Sequence, residues 1–253
     1  MEVKEVLDIA IRSGEILLTS GSEIYRVEDT IDRICNAYDV KSECFVTPTG
    51  IFVSGSATDN TSESVSLMKR IRNRTINLHN IEIINTFSRN LQNSTVSYNE
   101  ALQVLQGMES APYFPFIRRV TAAGVTAFVY AMLFKGTFID GAVTAAIGIF
   151  IYSLRDKMSK AYLSQFFVDF ICSLTAGLIS VLVGKSIDFL NTNSIIVGSI
   201  MILVPGLAIT NGIRDALHGD ILSSQARVTE AMFTVTAIGV GVGIALSFMK
   251  YWV

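Results

Sequence analysis

From residue 118 onward the sequence contains five long apolar segments, and these limit the possible folds more than any other feature. Each segment has about 17 to 24 residues, close to the roughly 20 that a helix needs to cross the hydrocarbon core of a bilayer. The segments cover residues 118–134, 137–154, 161–184, 194–213 and 230–249. We therefore predict a transmembrane bundle of about five α-helices, embedded in the lipid bilayer, in the second half of the chain.

The first half of the chain is polar and predicts a small α+β domain. Residues 1–119 hold 12 of the 20 Lys and Arg residues and 15 of the 22 Asp and Glu residues. Apolar residues at helical spacing predict one helix from Val3 to about residue 18 and a second helix with Ser22 as its N-cap. The predicted inner face of this second helix carries Tyr25, Val27, Ile31, Ile34 and Tyr38. Two strands joined by the "TPTG" turn, a third strand in "SVSLMKRIR", and helices at about 77–91 and 97–109 follow.

The predicted organisation is a cytoplasmic α+β domain at 1–111, a proline-containing junction at 112–117 and a transmembrane domain at 118–253. The N-terminus is acidic and lacks both the positive region and the cleavage site of a signal peptide, so we expect the first half to stay in the cytoplasm. Lys and Arg are more frequent in the connections predicted on that side, such as "RDKMSK" and the fourth connection with Arg214 and Arg227. This asymmetry predicts a cytoplasmic N-terminus and an extracytoplasmic C-terminus in a cell membrane.

Several functional classes are disfavoured by composition. The formal net charge of −2 provides no concentrated basic surface for nucleic acid. We find no catalytic motif of the HExxH or GxSxG type, and only two histidines, so an enzyme is not expected. The three cysteines are at spacings that fit neither a disulfide framework nor a zinc site, and no metal or cofactor is predicted.

The stretch "ILVPGLAITNGIRDALHGD" is the strongest candidate for a site. We expect Pro205 and Gly206 to break the fourth span, with Pro205 leaving the carbonyl of Met201 without its helical donor. The following "NGIRDALHGD" would then form a short second helix. Irregular backbone of this kind is where transporters bind polar substrates.

Polar residues after this break are predicted to line the cytoplasmic end of a substrate pathway. We expect Asn211, Arg214 and Asp215 to do so, with Arg214 binding a substrate carboxylate and Asp215 or Asp220 binding an ammonium group or carrying a coupling proton. Two alternatives stay open, namely that Arg214 and Asp215 pair with each other or that they cap a helix end. Asp169, deep in the third span, is a further pathway candidate.

Four motifs in order along the chain resemble the threonine/serine exporter family. They are "SGSEIYRVEDTI", "FVTPTGIFVSG", "NLHNIEIINTFSRN" and "VPGLAITNGIRDALHGDILSSQARVTEA". The resemblance covers nearly the whole chain, and the family pattern of a cytoplasmic domain followed by five spans agrees with the predicted topology. The cytoplasmic-domain motif residues are Glu23, Tyr25, Arg26, Thr47, Pro48, Thr49 and Gly50, and the last four are also interpreted as a docking or gating edge.

The resemblance implies secondary transport, as a subunit that exports small amino acids such as threonine and serine or dicarboxylates such as succinate. Some family members have about twice this length. Because the chain stops at Val253, we expect a companion small membrane subunit to supply a second group of spans, and an oligomer to complete the pathway. The alternative function is a membrane-anchored sensor or scaffold whose cytoplasmic domain binds a ligand or a partner.

Overall fold

A computed structural model describes residues 1–57, 64–72, 74–109, 114–161 and 163–252. The chain divides into two compact units. Unit 1 comprises Met1–Ala111 together with Ala208–Val228, and unit 2 comprises Pro112–Leu207 together with Thr229–Val253. Residues 208–228 therefore group with the N-terminal residues. Of the predicted junction at 112–117, the structure describes residues 114–117.

Unit 1 begins with two helices packed on a three-stranded sheet. Helix α1 spans Val3–Thr19 and α2 spans Ile24–Ala37. The antiparallel strands β1 (Val40–Thr47), β2 (Gly50–Ala57) and β3 (Val65–Arg70) lie in the order β1-β2-β3. Helices α3 (Leu78–Asn93) and α4 (Tyr98–Glu109) complete this part of the unit. These elements confirm the predicted small α+β domain.

The apolar core of unit 1 lies between α1, α2 and one face of the sheet. Leu7 and Leu17 of α1, Ile31 and Ile34 of α2, and Ile51 of β2 are all fully buried. Alternate residues of the strands point into this core because side chains alternate between the two faces of a sheet. Burial of these side chains supplies the main driving force for folding of the unit.

Two details of α2 differ from prediction. The N-cap is Glu23, in extended backbone conformation, rather than Ser22. Tyr25 does not lie with Val27 and Ile31 in the core but stacks on His218. The helix starts one residue later than expected because the preceding connection is used to end α1, as described below.

The remaining helices are apolar and mostly long. They are α5 (Phe116–Leu133), α6 (Phe138–Ser159), α7 (Gln165–Ser186), α8 (Thr192–Ile200), α9 (Gly206–Leu217) and α10 (Ile221–Trp252). In the described residues four helices are long and apolar enough to cross a membrane, or five if the bent pair Thr192–Leu203 and Gly206–Leu217 is one span. The prediction of about five spans is thus supported by length and composition.

Helix boundaries in this half differ from the predicted ones at two connections. Arg155 and Lys157 lie in the last turns of α6 rather than in a loop, since α6 continues to Ser159. Arg214 lies in α9 and Arg227 in α10, which begins at Ile221 rather than near residue 230. Helix α6 continues beyond its apolar segment and α10 begins before its apolar segment, because helical backbone hydrogen bonds form between polar residues as well as apolar ones.

The fourth apolar segment is interrupted at Pro205, as its sequence predicts. Helix α8 ends at Ile200, a 3₁₀ turn covers Met201–Leu203, and Val204 is extended with φ −62° and ψ 130°. A residue before proline is pushed out of the helical region by the proline ring. Met201 lacks its helical i+4 donor, as predicted, but its carbonyl is not left free, because it accepts a hydrogen bond from the Val204 N–H at 3.3 Å.

Glu28 of α2 provides a test of the electrostatics of unit 1. Its side chain accepts a hydrogen bond from the Val46 N–H at 3.1 Å. Burial raises the pKa of Glu28 above its ordinary value, the Val46 N–H opposes this, and the charges of Asp220, Asp32 and Asp215 raise it further. A carboxyl whose pKa is raised on folding stabilises the protein most below its unfolded pKa, and this contribution is lost as the pH rises through the folded pKa.

We therefore expect Glu28→Gln to increase stability at neutral pH, because glutamine keeps an acceptor for Val46 without the charge. The midpoint of thermal unfolding of the purified full chain in detergent should rise by on the order of 2–4 °C at pH 7.5. The gain should shrink at pH 4.5, where the wild-type carboxyl takes up a proton. Glu82→Gln, on the exposed surface of α3, is the control. An equal gain at both pH values would contradict the prediction.

Candidate functional site

The connection between α1 and α2 exposes two carbonyl groups to other parts of unit 1. Helix α1 ends in a Schellman motif, in which Ser22 N–H donates to the Leu17 carbonyl at 3.0 Å and Gly21 N–H donates to the Leu18 carbonyl at 3.3 Å. Gly21 has φ +88°, a conformation that favours glycine. Ser22 and Glu23 then lead directly into α2, so that the carbonyls of Gly21 and Ser22 remain available as acceptors.

One face of α9 contacts this connection. Asn211, Arg214, Asp215 and His218 follow each other at helical spacing i, i+3, i+4 and i+7, which places them on the same side of the helix. Asn211 Nδ2 donates to the Gly21 carbonyl at 3.0 Å. Asp215 Oδ1 accepts from the Ile24 N–H at 3.2 Å, which makes it the acceptor for the first turn of α2.

Arg214 forms an ion pair with Glu23. The same carboxylate is held by Arg26, whose Nε donates to Oε2 at 2.8 Å and whose Nη2 donates to Oε1 at 3.3 Å. Two guanidinium groups therefore hold one carboxylate. Arg214 and Asp215 do not pair with each other: each has a different partner.

The partner of Asp215 is Arg227 of α10. Arg227 Nε lies 2.9 Å from Asp215 Oδ2, and Arg227 Nη2 donates to the Ser22 carbonyl at 2.8 Å. Both side chains are almost inaccessible, with 0% of Asp215 and 6% of Arg227 exposed. The pair therefore links α9, α10 and the α1–α2 connection through buried charges. Of the two open alternatives, helix capping by Asp215 is the one that the geometry shows.

A stacked ring pair flanks these charges. The rings of Tyr25 and His218 are parallel within 3°, with centroids 4.0 Å apart. His218 Nδ1 lies 2.9 Å from the Arg214 carbonyl, and the Arg26 guanidinium carbon lies 5.9 Å from the centre of the Tyr25 ring. Arg26 thus lies against both the Tyr25 ring and the Glu23 carboxylate.

The pKa values of Glu23 and Asp220 in this region are shifted in opposite directions. Burial by itself would raise the pKa of Glu23, but the hydrogen bond from Arg26 and the charges of Arg26 and Arg214 outweigh it and hold the pKa below its ordinary value. Glu23 is therefore ionised at neutral pH. Burial raises the pKa of Asp220, and the neighbouring His218 opposes the shift.

The other predicted site residues lie elsewhere in the fold. Pro205 lies in the break before α9, and Gly206 is the first residue of that helix. Thr47, Pro48, Thr49 and Gly50 form the β1–β2 turn, where Thr47 Oγ1 donates to the Gly50 carbonyl at 3.2 Å and Thr49 accepts from the Ile71 N–H at 2.9 Å. This turn is bonded to itself and to the residue after β3, not to α9.

Asp169 belongs to unit 2, where it is fully buried. Arg155 Nη2 lies 3.1 Å from its Oδ1, and Gln165 Nε2 donates to its two oxygens at 3.1 and 2.9 Å. The carboxylate is thus neutralised by a residue of the preceding helix α6, as a charge within a span requires. Among the described residues there is no group of three or more His, Cys, Asp or Glu side chains that could hold a metal ion.

Sequence reasoning missed the part that Arg227 has in this site. Arg227 contributed only to the predicted topology, although it lies in the motif that also contains Arg214 and Asp215. The sequence placed Arg227 in a connection between spans, where a charged side chain needs no particular partner, whereas in the structure it is buried in α10 and requires one. The choice of that partner depends on contacts that are distant in sequence.

Comparison with known proteins shows the family. The family described as "Putative threonine/serine exporter" matches residues 8–249. The chain is 26% identical over 250 residues to the "Probable threonine/serine exporter" of Mycobacterium tuberculosis (strain ATCC 25618 / H37Rv), covering 97% of this chain and 46% of that protein. It is 22% identical over 257 residues to the "Threonine/serine exporter" of Corynebacterium glutamicum, covering 97% of this chain and 52% of that protein.

A third relative is the "Pheromone-regulated membrane protein 10" of Pichia sorbitophila, 22% identical over 247 residues, and the match covers 93% of this chain and 24% of that protein. The chain thus spans about half or less of the length of the curated relatives it matches. No solved structure matches this chain. The family is one of transporters and not of enzymes. The apolar helices of this chain are those of a multi-pass membrane protein. Because the family match extends over nearly all of the sequence, this chain belongs to the threonine/serine exporter family.

Proposed function

We propose that this chain is part of a secondary transporter that exports small amino acids, threonine and serine among them, from the cytoplasm. The family match over residues 8–249 and the names of two of its relatives support this function. Dicarboxylates such as succinate are a second proposed substrate class, because the arginines of the site can bind a carboxylate irrespective of the other groups on the substrate.

The observation that carries the proposal is the position of Arg214. Its guanidinium is held against a carboxylate, and 42% of its side chain is exposed, so that a small molecule can reach it from solvent. A planar guanidinium matches a carboxylate with two parallel hydrogen bonds, and every amino acid and dicarboxylate presents such a group. We assign Arg214, together with Asn211 and Asp220, to the cytoplasmic end of the substrate pathway.

The orientation that we propose has the N-terminus in the cytoplasm and the C-terminus outside. The distribution of Lys and Arg favours it, including Arg118 and Arg119 before the first span. In unit 2, we propose that the buried Asp169 with Arg155 belongs to the pathway or to ion coupling, because paired charges inside spans mark such routes.

We further propose that additional spans, on a companion membrane subunit or on a longer chain, complete the pathway, and that the assembly is oligomeric. The length of the relatives supports this, since this chain corresponds to 46% and 52% of the two exporters.

The test of function is efflux of preloaded threonine, serine and succinate from cells that lack such exporters. Cells with this chain, with this chain and its companion, and with neither should be compared, and faster efflux of at least one substrate is expected when the complete assembly is present. Equal efflux in all three would count against export and in favour of a sensor or scaffold.

Arg214→Lys tests the predicted recognition of a carboxylate. Lysine keeps the charge but loses the planar pair of donors, so we expect the initial efflux rate at low substrate to fall by about tenfold or more. Protein abundance in the membrane should be unchanged. Arg89→Lys, at an exposed position of α3, is the matched control and should export normally. Wild-type efflux by Arg214→Lys would remove the bidentate contact from the mechanism.

Pro205→Ala tests the break before α9. Alanine supplies an N–H and relieves the restriction on Val204, so the 3₁₀ turn and α9 can join into a more regular helix. We expect the efflux rate to decrease by about tenfold, because small displacements of binding groups have large effects on rate. Pro115→Ala, at the N-cap of α5, is the control. Unimpaired efflux by Pro205→Ala would exclude the break from the mechanism.

A further inference from the structure

We propose that Arg26 and Arg214 together form a binding cradle for a carboxylate, that Glu23 occupies it in this structure, and that the carboxylate of the substrate displaces Glu23. The inference rests on the proposed transport function and deepens it by identifying a second binding residue and an internal competitor. All the residues involved belong to unit 1.

Glu23 does not have the role that its position suggests. It is the N-cap residue of α2, yet its side chain forms no capping hydrogen bond with that helix. Asp215 serves the first turn of α2 instead, by accepting from the Ile24 N–H. The carboxylate of Glu23 is therefore engaged with Arg26 and Arg214 and can leave them without removing the cap of the helix.

The two carboxylates of the site differ in what surrounds them. Asp215 lies between the buried Arg227 and the backbone of α2, where no ligand can reach it. Glu23 lies between two guanidinium groups whose side chains are 34% and 42% exposed, although Glu23 itself is only 9% exposed. A ligand approaching from solvent therefore meets Arg26 and Arg214 first and competes directly with Glu23.

The charges in direct contact also favour an incoming anion. In the part of the chain that the structure describes, the Glu23 carboxylate forms ion pairs with both Arg26 and Arg214, and the Asp215 carboxylate forms one with Arg227. While Asp215 neutralises Arg227, a single carboxylate is shared by the other two arginines. A substrate carboxylate restores the same contacts when Glu23 moves away, so the exchange replaces one charge-assisted interaction by another.

Because Glu23 competes with the ligand, its removal should tighten binding. We expect Glu23→Gln in the purified full chain to bind L-threonine or succinate at least about tenfold more tightly than wild type, as measured by isothermal titration calorimetry. Threonine amide, which lacks the carboxylate, should show no such gain. Glu82→Gln, on the exposed surface of α3, is the control and should bind as wild type does.

A second variant makes the test independent of how Glu23→Gln folds. Arg26→Lys keeps Glu23 and the charge but removes the planar donors, and we expect it to weaken binding of the carboxylate ligand by about tenfold with an unchanged unfolding midpoint. Tightening for threonine alone identifies an amino-acid cradle, and tightening for succinate alone identifies a dicarboxylate cradle.

The inference is overturned if Glu23→Gln gains affinity for neither ligand, if threonine amide gains as much as threonine, or if Arg26→Lys binds as wild type does. Failure of the transport function has a different signature, namely absence of efflux from cells with the wild-type assembly. Wild-type efflux combined with unaltered binding by Glu23→Gln would refute the cradle and leave the exporter function intact.

Discussion

Unit 1 depends on a buried carboxylate, that of Asp215. A fully buried charge is tolerated only when it is paired and hydrogen-bonded, and Asp215 is paired with the Arg227 guanidinium and accepts a hydrogen bond from the Ile24 N–H of α2. Arg227 in turn binds the Ser22 carbonyl. These contacts explain why residues 208–228 group with the N-terminal half of the chain although they follow an apolar segment.

In the proposed mechanism, this buried scaffold keeps its position while the more exposed charges bind a ligand. Because Asp215 caps α2 and neutralises Arg227, neither Glu23 nor Arg214 is required to cap this helix or to neutralise Arg227. Charged residues that lie next to each other in sequence thus have separate environments: Arg214 is partly exposed, and Asp215 is enclosed. A transporter needs both kinds of group, because the binding residues must exchange partners while the helices that carry them keep their positions.

Much of the architecture was predictable because it follows from local rules. Apolar segments of span length, the β1–β2 turn at Pro48 and the extended residue before Pro205 are each determined by neighbouring residues. The short helix predicted after Pro205 likewise corresponds to α9, although α9 already begins at Gly206. The exact start of α2 was not predictable in this way, since Ser22 is an equally suitable N-cap in isolation and is used instead in the Schellman motif that ends α1.

By itself, the sequence determined the apolar segments, the sheet and the break in the fourth segment. It also determined which charged residues are present to form a site. Only the tertiary structure decided which charges meet. Ile24 and Asp215 are 191 positions apart, and Arg227 and Ser22 are 205 positions apart, so no local pattern relates them. Arginine and carboxylate groups attract one another without regard to sequence, and the packing of α9 and α10 against the α1–α2 connection selects Glu23 for Arg214 and Arg227 for Asp215.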